Sequence, residues 1–190
     1  MKPNYLTILI TTLCIFFNAC HNSNTAPQLQ LADSLIDKRA DSALCILEKL
    51  SIEEISNKSA KAMYALLLTE ALDKNFKSHR NDSLILIAVD YYKDNSNNKL
   101  KTKAYYYLGR VYQDNKEYIK ATEAYLTALK TASPNQAPIL QIYNNLALCY
   151  ESQEFYLPAI KTYKESYATA EKMQDKYGIL HATRGLGNVY

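Results

Sequence analysis

Histidine and cysteine are the residue types in this chain that are best suited to bind a metal ion or to act as a nucleophile. The 190 residues contain three His and four Cys, namely His21, His79, His181, Cys14, Cys20, Cys45 and Cys149. No histidine stands near another histidine or a cysteine at a ligand spacing, and no cysteine pair has the C-x-x-C spacing. The patterns of a zinc protease, a phosphate-binding loop or a nucleophile elbow are also missing. The sequence therefore predicts no metal site, no cofactor and no enzymatic activity.

The composition narrows the fold class and the kind of partner. Only four glycines are present, whereas phosphate-cradling loops and β folds with many turns depend on glycine. Apolar residues make up 48% of the chain and tyrosine occurs 17 times, so a buried core can form. The net charge of +3 is too small and too evenly spread to indicate a nucleic-acid partner. Cys45 and Cys149 lie in apolar runs and are interpreted as small buried residues, and a disulfide is the alternative.

The first twenty residues, "MKPNYLTILITTLCIFFNAC", indicate an export signal. One lysine precedes an apolar run that is too short to cross a bilayer. The end of this run resembles the lipobox of bacterial lipoproteins, which implies a signal peptide at 1–19, lipidation of Cys20 and a polar tether at 20–27. That resemblance places the protein in the cell envelope, facing the periplasm or the surface, with His21 favouring the outer membrane. An ordinary cleaved signal and an uncleaved anchor are the alternatives.

A repeated pattern runs through the rest of the chain. Apolar residues recur at helical spacing in 104–113 and again in 118–132, and the polar turn "DNKE" separates the two segments. The first segment contains "YYYLGRVY", and similar stretches follow as "YNNLALCY" and "TRGLGNVY". Their leucines at 108, 146 and 186 are 38 and 40 residues apart. Such helix pairs bury their apolar faces by stacking on copies of themselves.

These repeats resemble the tetratricopeptide repeat family. The signature residues are matched by Tyr105, Leu108, Gly109, Tyr112, Ala121, Tyr125 and Ala128, and by their counterparts in the next copy. The resemblance implies an all-α fold, a right-handed α-solenoid of stacked antiparallel helix pairs. We expect divergent helix pairs at 28–96 and tetratricopeptide repeats at 97–190. The last repeat is incomplete, and we therefore expect the natural chain to continue past Tyr190.

The family resemblance also implies a binding groove, which the first helix of each repeat lines. The positions that face this groove are Lys103, Tyr106, Arg110, Gln141, Asn144, Leu148, His181, Arg184 and Asn188. This surface is polar and mildly basic, so it suits a peptide with an acidic or amide-rich stretch. Ordinary solvent exposure of these side chains is the alternative interpretation.

The expected function is that of a lipid-anchored, extracytoplasmic scaffold that binds a protein or peptide partner. One alternative is the sensor region of a longer membrane-spanning signalling or transcriptional regulator. A second alternative is a glycan-capturing outer-membrane lipoprotein, although the inserted binding region of that class is missing. An apolar span beyond Tyr190 would favour the sensor.

Overall fold

The fold is known from a computed structural model, which describes residues 25–79, 81–133 and 138–190. The predicted signal peptide at 1–19 and the proposed lipid site at Cys20 lie outside the described residues. So does the tether up to residue 24. No strand occurs in the part of the chain that the structure describes. The secondary structure there consists of nine α-helices and one short 3-10 turn.

The nine helices follow one another with short connections. They are α1 (Ala26–Leu35), α2 (Ala40–Leu47), α3 (Lys58–Lys74), α4 (Ser83–Tyr92), α5 (Asn98–Asp114), α6 (Tyr118–Thr131), α7 (Pro138–Ser152), α8 (Tyr156–Met173) and α9 (Lys176–Val189). The 3-10 turn, Ile52–Glu54, lies between α2 and α3. Three helices begin at side-chain caps, because Asn57, Asn97 and Asp175 accept hydrogen bonds from backbone N–H groups of the first turn.

The helices pack as successive pairs, α1 with α2, α3 with α4, α5 with α6 and α7 with α8, and α9 packs on α8. The first helices also contact each other in a row, from α1 through α3, α5 and α7 to α9. Among the described residues, the second helices form no comparable row. Closer spacing on one side of a stack curves it toward that side, so the first helices line the inner surface. The predicted all-α solenoid of stacked helix pairs is confirmed.

The turns within successive pairs have the same backbone geometry. Lys116 and Glu154 both adopt the left-handed conformation, with φ of 61° and 59°. The N–H of Glu117 donates to the carbonyl of Tyr112 over 2.8 Å, and the N–H of Phe155 donates to that of Tyr150 over 2.9 Å. This closure satisfies carbonyls at the end of the first helix and reverses the chain into the second. The repeat seen in the sequence is therefore also a repeat of backbone conformation.

The core contains small residues and tyrosines at the contacts between helices. Ala121 and Ala159 are fully buried at corresponding positions of α6 and α8. Tyr125 is fully buried, and its hydroxyl donates to Gln113 Oε1 over 2.7 Å. The corresponding Tyr163 hydroxyl donates to a carboxylate oxygen of Glu151. Each tyrosine therefore fills apolar space while its polar end stays hydrogen-bonded.

The two described cysteines differ in exposure. Cys149 is buried in α7, as the apolar pattern predicts. Cys45 is exposed on α2, so its prediction as a buried residue is wrong. The apolar residues around Cys45 in the sequence, Leu44 and Leu47, are buried because they lie on the opposite face of the helix. Neither thiol forms a disulfide within the part of the chain that the structure describes.

None of the described helices is long and apolar enough to cross a membrane.

Candidate peptide-binding groove

The predicted groove residues come from three neighbouring first helices. Helix α5 carries Lys103, Tyr106 and Arg110, α7 carries Gln141, Asn144 and Leu148, and α9 carries His181, Arg184 and Asn188. Because α5 contacts α7 and α7 contacts α9, the three sets lie side by side. Their environments differ along this row, and the difference decides which of them can bind a partner.

The cations of α5 already have acidic partners in the preceding helix. Lys103 Nζ lies 2.5 Å from an oxygen of Glu70, which is 2% exposed. Arg110 donates through Nε to Asp73 Oδ1 over 2.8 Å, and its Nη2 atom lies 3.5 Å from Asp114 Oδ1. Burial opposes the charge of Arg110, but the Asp73 carboxylate outweighs it and raises the pKa of the guanidinium above its ordinary value. These cations stabilise the α3–α5 contact and are not free for an acidic ligand.

Tyr106 belongs to the buried core, since it is only 8% exposed. Its ring packs edge-on against Tyr107, with centroids 5.0 Å apart, and its hydroxyl accepts a hydrogen bond from Asn145 Nδ2 over 3.3 Å. Burial raises the pKa of Tyr106 to about 12. The hydroxyl therefore stays neutral at physiological pH and ties α5 to α7.

Residues of α7, of α9 and of the end of α8 line an open pocket of about 450 Å³. Its lining residues are Leu140, Gln141, Asn144, Asn145, Met173, Asp175, Tyr177, Gly178 and His181. Asn144 Oδ1 accepts a hydrogen bond from Ser166 Oγ over 3.0 Å, which fixes the orientation of its amide. Asp175 caps the N-terminus of α9. The lining of the pocket thus combines apolar residues, including Leu140 and Met173, with three amide side chains.

Several polar side chains of this part have no partner among the described residues. Gln141, His181, Arg184 and Asn188 are exposed, and none of them forms a side-chain hydrogen bond or ion pair there. Amides donate and accept, an imidazole can do either, and a guanidinium only donates. Such a set suits the backbone of an extended peptide and a carboxylate side chain.

Sequence reasoning missed two features of the site. Asn145 lines the pocket and connects it to Tyr106, yet nothing in the sequence distinguishes it from its neighbour Asn144. Asp73 and His79 also meet Asp114 beside Arg110, although Asp114 is far from both of them in sequence. The acidic partners of Lys103 and Arg110 on α3 lie 33 and 37 residues away, so no local pattern could have identified them. Asp114, four residues after Arg110, is a local partner.

Comparison with known proteins agrees with this architecture. Residues 101–172 match the family model described as tetratricopeptide repeat. No curated protein sequence matches the chain at a significant level. Among solved structures, MamA of AMB-1 is similar, with a TM-score of 0.56, 16% sequence identity, and coverage of 87% of this chain and 98% of the MamA chain. At that identity the likeness shows the fold alone.

Proposed function

We propose that this chain, whose residues 101–172 are tetratricopeptide repeats, is a scaffold that binds an extended segment of a protein partner. Curved stacks of helix pairs present long inner surfaces that generally serve for protein binding rather than catalysis. The observation that carries the proposal is the set of unpartnered polar side chains on α7 and α9, beside an open pocket. The corresponding cations of α5, Lys103 and Arg110, instead form ion pairs with Glu70 and Asp73.

The free groups define the chemistry of the ligand. Arg184 supplies a positive charge with no ion-pair partner among the described residues, and His181 and Gln141 supply hydrogen-bonding groups on the same surface. The apolar part of the pocket lining, including Leu140 and Met173, accepts one apolar side chain. We therefore expect a ligand with a carboxylate or amide side chain next to an apolar residue. The binding surface is centred on α7 and α9 rather than on Lys103 and Arg110.

The proposal includes a lipid anchor at Cys20, outside the cytoplasm. Its support is the sequence of residues 1–20, with an apolar run that ends at Ala19 and Cys20. Labelled palmitate should be incorporated into the wild-type chain in bacteria and should be absent from Cys20→Ala. Equal labelling of both chains would contradict the anchor and would leave the peptide-binding proposal untouched.

The binding proposal is tested with a displayed library of random peptides selected on the full chain. We expect enrichment of peptides with Asp, Glu, Asn or Gln next to an apolar residue. For a synthetic peptide from the enriched set, Arg184→Glu should weaken binding by about tenfold, because an attractive charge becomes repulsive.

The matched control is Lys164→Glu, which reverses an exposed charge on the second helix α8 at a residue that does not line the pocket. This variant should bind the same peptide within about twofold of the wild type, since surface charges outside the site contribute little. If Lys164→Glu and Arg184→Glu weaken binding equally, or if no peptide is enriched, the α7–α9 surface is not the binding site.

A further inference from the structure

Three side chains from separate parts of the chain meet at the end of α5. Asp73 lies in the last turn of α3, His79 in the connection to α4, and Asp114 at the end of α5. His79 Nε2 is 3.9 Å from Asp73 Oδ1 and 3.7 Å from Asp114 Oδ2. One ligand atom from each residue lies within 4.8 Å of the other two. We propose that these three residues bind a divalent transition-metal ion, for which Zn²⁺ is the best fit.

The state of His79 is the first argument for this site. Its side chain is only 3% exposed, and Nε2 is buried with no hydrogen-bond partner among the described residues. The two carboxylates face this nitrogen at 3.7 and 3.9 Å, which is too far for a hydrogen bond. A buried polar atom without a partner is costly, so native structures rarely leave one. An ion between the nitrogen and the carboxylates would satisfy it.

The spacing of the three groups is the second argument. Zn²⁺ binds imidazole nitrogen and carboxylate oxygen at about 2.0–2.2 Å, which puts two ligands of a tetrahedral ion about 3.4 Å apart. The observed separations of 3.7 and 3.9 Å exceed that value by only a few tenths of an ångström. The ligand oxygens of Asp73 and Asp114 lie within 4.8 Å of each other, and binding would bring these two carboxylates closer together. A pocket lined by Asp73, Arg110 and Asp114 opens beside it and leaves room for a water as the fourth ligand.

Charge favours a cation in spite of the neighbouring Arg110. Asp73 and Asp114 carry two negative charges, and Arg110 neutralises one of them. Among the described residues that line the pocket, the second cation is Lys77, whose ammonium lies 3.1 Å from Glu48. Each carboxylate oxygen has two lone pairs, so Asp73 Oδ1 can accept from Arg110 and still bind an ion. The guanidinium would then orient the carboxylates, as outer groups of metal sites commonly do.

The donor set selects the metal. One imidazole nitrogen with two carboxylate oxygens suits Zn²⁺, whereas Mg²⁺ and Ca²⁺ prefer oxygen ligands alone. Neither described thiol belongs to the cluster, because Cys45 and Cys149 lie elsewhere in the fold. An ion here would join α3, the α3–α4 connection and α5, and so would link two successive helix pairs. Its role would be to stabilise the array.

The experiment uses the full chain, purified without a polyhistidine tag and stripped with a chelator. Zn²⁺ is titrated in competition with a chromogenic chelator, and the melting temperature is followed by circular dichroism. We expect one Zn²⁺ per chain and a higher melting temperature with the ion, because a ligand that binds the folded state stabilises it. Co²⁺ should give the visible absorption of a low-coordinate site with nitrogen and oxygen ligands.

Variants assign the site to its residues. His79→Gln and Asp114→Asn should each weaken Zn²⁺ binding by at least about tenfold. The control His181→Gln removes the exposed histidine of α9 and should leave binding unchanged. If His79→Gln fails to fold, Asp114→Asn and the Co²⁺ spectrum of the wild type decide.

Two results would overturn the proposal. The first is Zn²⁺ binding that survives both His79→Gln and Asp114→Asn. The second is a folded wild-type chain that binds no Zn²⁺ in the chelator titration and whose melting temperature does not change when Zn²⁺ is added.

Discussion

The ring of Tyr125 lies so close to Gly109 that no side chain fits between them. A Cβ atom on residue 109 would stand 2.4 Å from Cε1 of the ring and 2.6 Å from Cδ1. Tyr125 cannot move aside easily, because it is fully buried and its hydroxyl is hydrogen-bonded to Gln113. The Leu-Gly step of the repeat signature is therefore explained by the close approach of α5 and α6 in this pair.

Gly109→Ala is expected to destabilise the fold. In a helix interior, alanine is intrinsically better than glycine by up to about 1 kcal/mol. Overpacking a rigid contact typically costs about 1–3 kcal/mol, so the steric cost should exceed the helical gain. We expect a net loss of about 1–2 kcal/mol in the free energy of unfolding, measured by urea denaturation.

Gly187→Ala is the matched control, because nothing lies within 4 Å of a Cβ atom built on Gly187. This variant should leave stability unchanged or raise it by up to about 1 kcal/mol, from helix propensity alone. A Gly109→Ala chain as stable as Gly187→Ala would show that Tyr125 can rearrange and that the contact is not tight.

Lys103→Glu is expected to weaken the junction between α3 and α5. Glu70 is almost fully buried and is neutralised by Lys103 at 2.5 Å and by Lys74 at 3.4 Å. Reversing Lys103 leaves a buried carboxylate next to a second one and removes the closer of its two cations. Because the Lys103 side chain is 23% exposed, solvent screening limits the cost, and we expect about 1–3 kcal/mol.

Arg184→Glu provides the comparison for this prediction. Arg184 is exposed and has no ion-pair partner among the described residues, so its reversal should change stability by less than about 0.5 kcal/mol. Both variants are measured by urea denaturation at low salt. Equal effects would mean that the Lys103–Glu70 pair adds nothing to the fold.

The solenoid could be predicted from sequence because its determinants are local and repeated. Tyr105, Gly109 and Tyr112 recur at helical spacing within one helix, and their counterparts return 38 residues later. Each helix pair makes its main contacts with its neighbours in sequence, so a local pattern specifies most of the packing.

The candidate sites were less predictable because they depend on contacts between pairs. The position of Lys103 in the repeat signature predicts that it faces the groove. The structure places it against Glu70 of the preceding pair. His79 was interpreted as an isolated histidine, and only the chain reversal after α3 and the stacking of α5 bring it to Asp73 and Asp114. The exposure of Cys45 was also not predictable from sequence, because an apolar run within one helix does not indicate which face of the helix is buried.

Cys45 and Cys149 are expected to react very differently with a thiol reagent. Burial raises the pKa of the Cys149 thiol to about 12, with a small opposing effect of Arg110. The reactive thiolate is therefore scarce in the folded state near pH 8, and the side chain is fully buried. Iodoacetamide should modify Cys45 in the folded chain and Cys149 only in urea, as peptide mass mapping can show. Labelling of Cys149 at the rate of Cys45 would mean that α7 opens readily.

Glu151→Gln is expected to make the chain less sensitive to alkali. Burial, together with the hydrogen bond and charge of Glu151, raises the pKa of the Tyr163 hydroxyl above its ordinary value. A raised folded pKa means that the stability from the neutral phenol is complete below about pH 10 and is lost as the pH rises toward the folded value.

Removing the carboxylate charge lowers the folded pKa of Tyr163 toward that of the unfolded chain. Because burial, the largest cause of the raised pKa, remains, both chains should lose stability alike just above about pH 10. The variant should lose less than the wild type only at higher pH, once its own folded pKa is passed, although its weaker hydrogen bond costs about 0.5–1.5 kcal/mol near neutral pH. Gln113 already holds Tyr125 in this way in the preceding pair, so glutamine fits the contact. In a Tyr163→Phe background, Glu151→Gln should no longer change the amount of stability that is lost at alkaline pH. If the same change persists in that background, it arises elsewhere and Tyr163 is not the group that titrates.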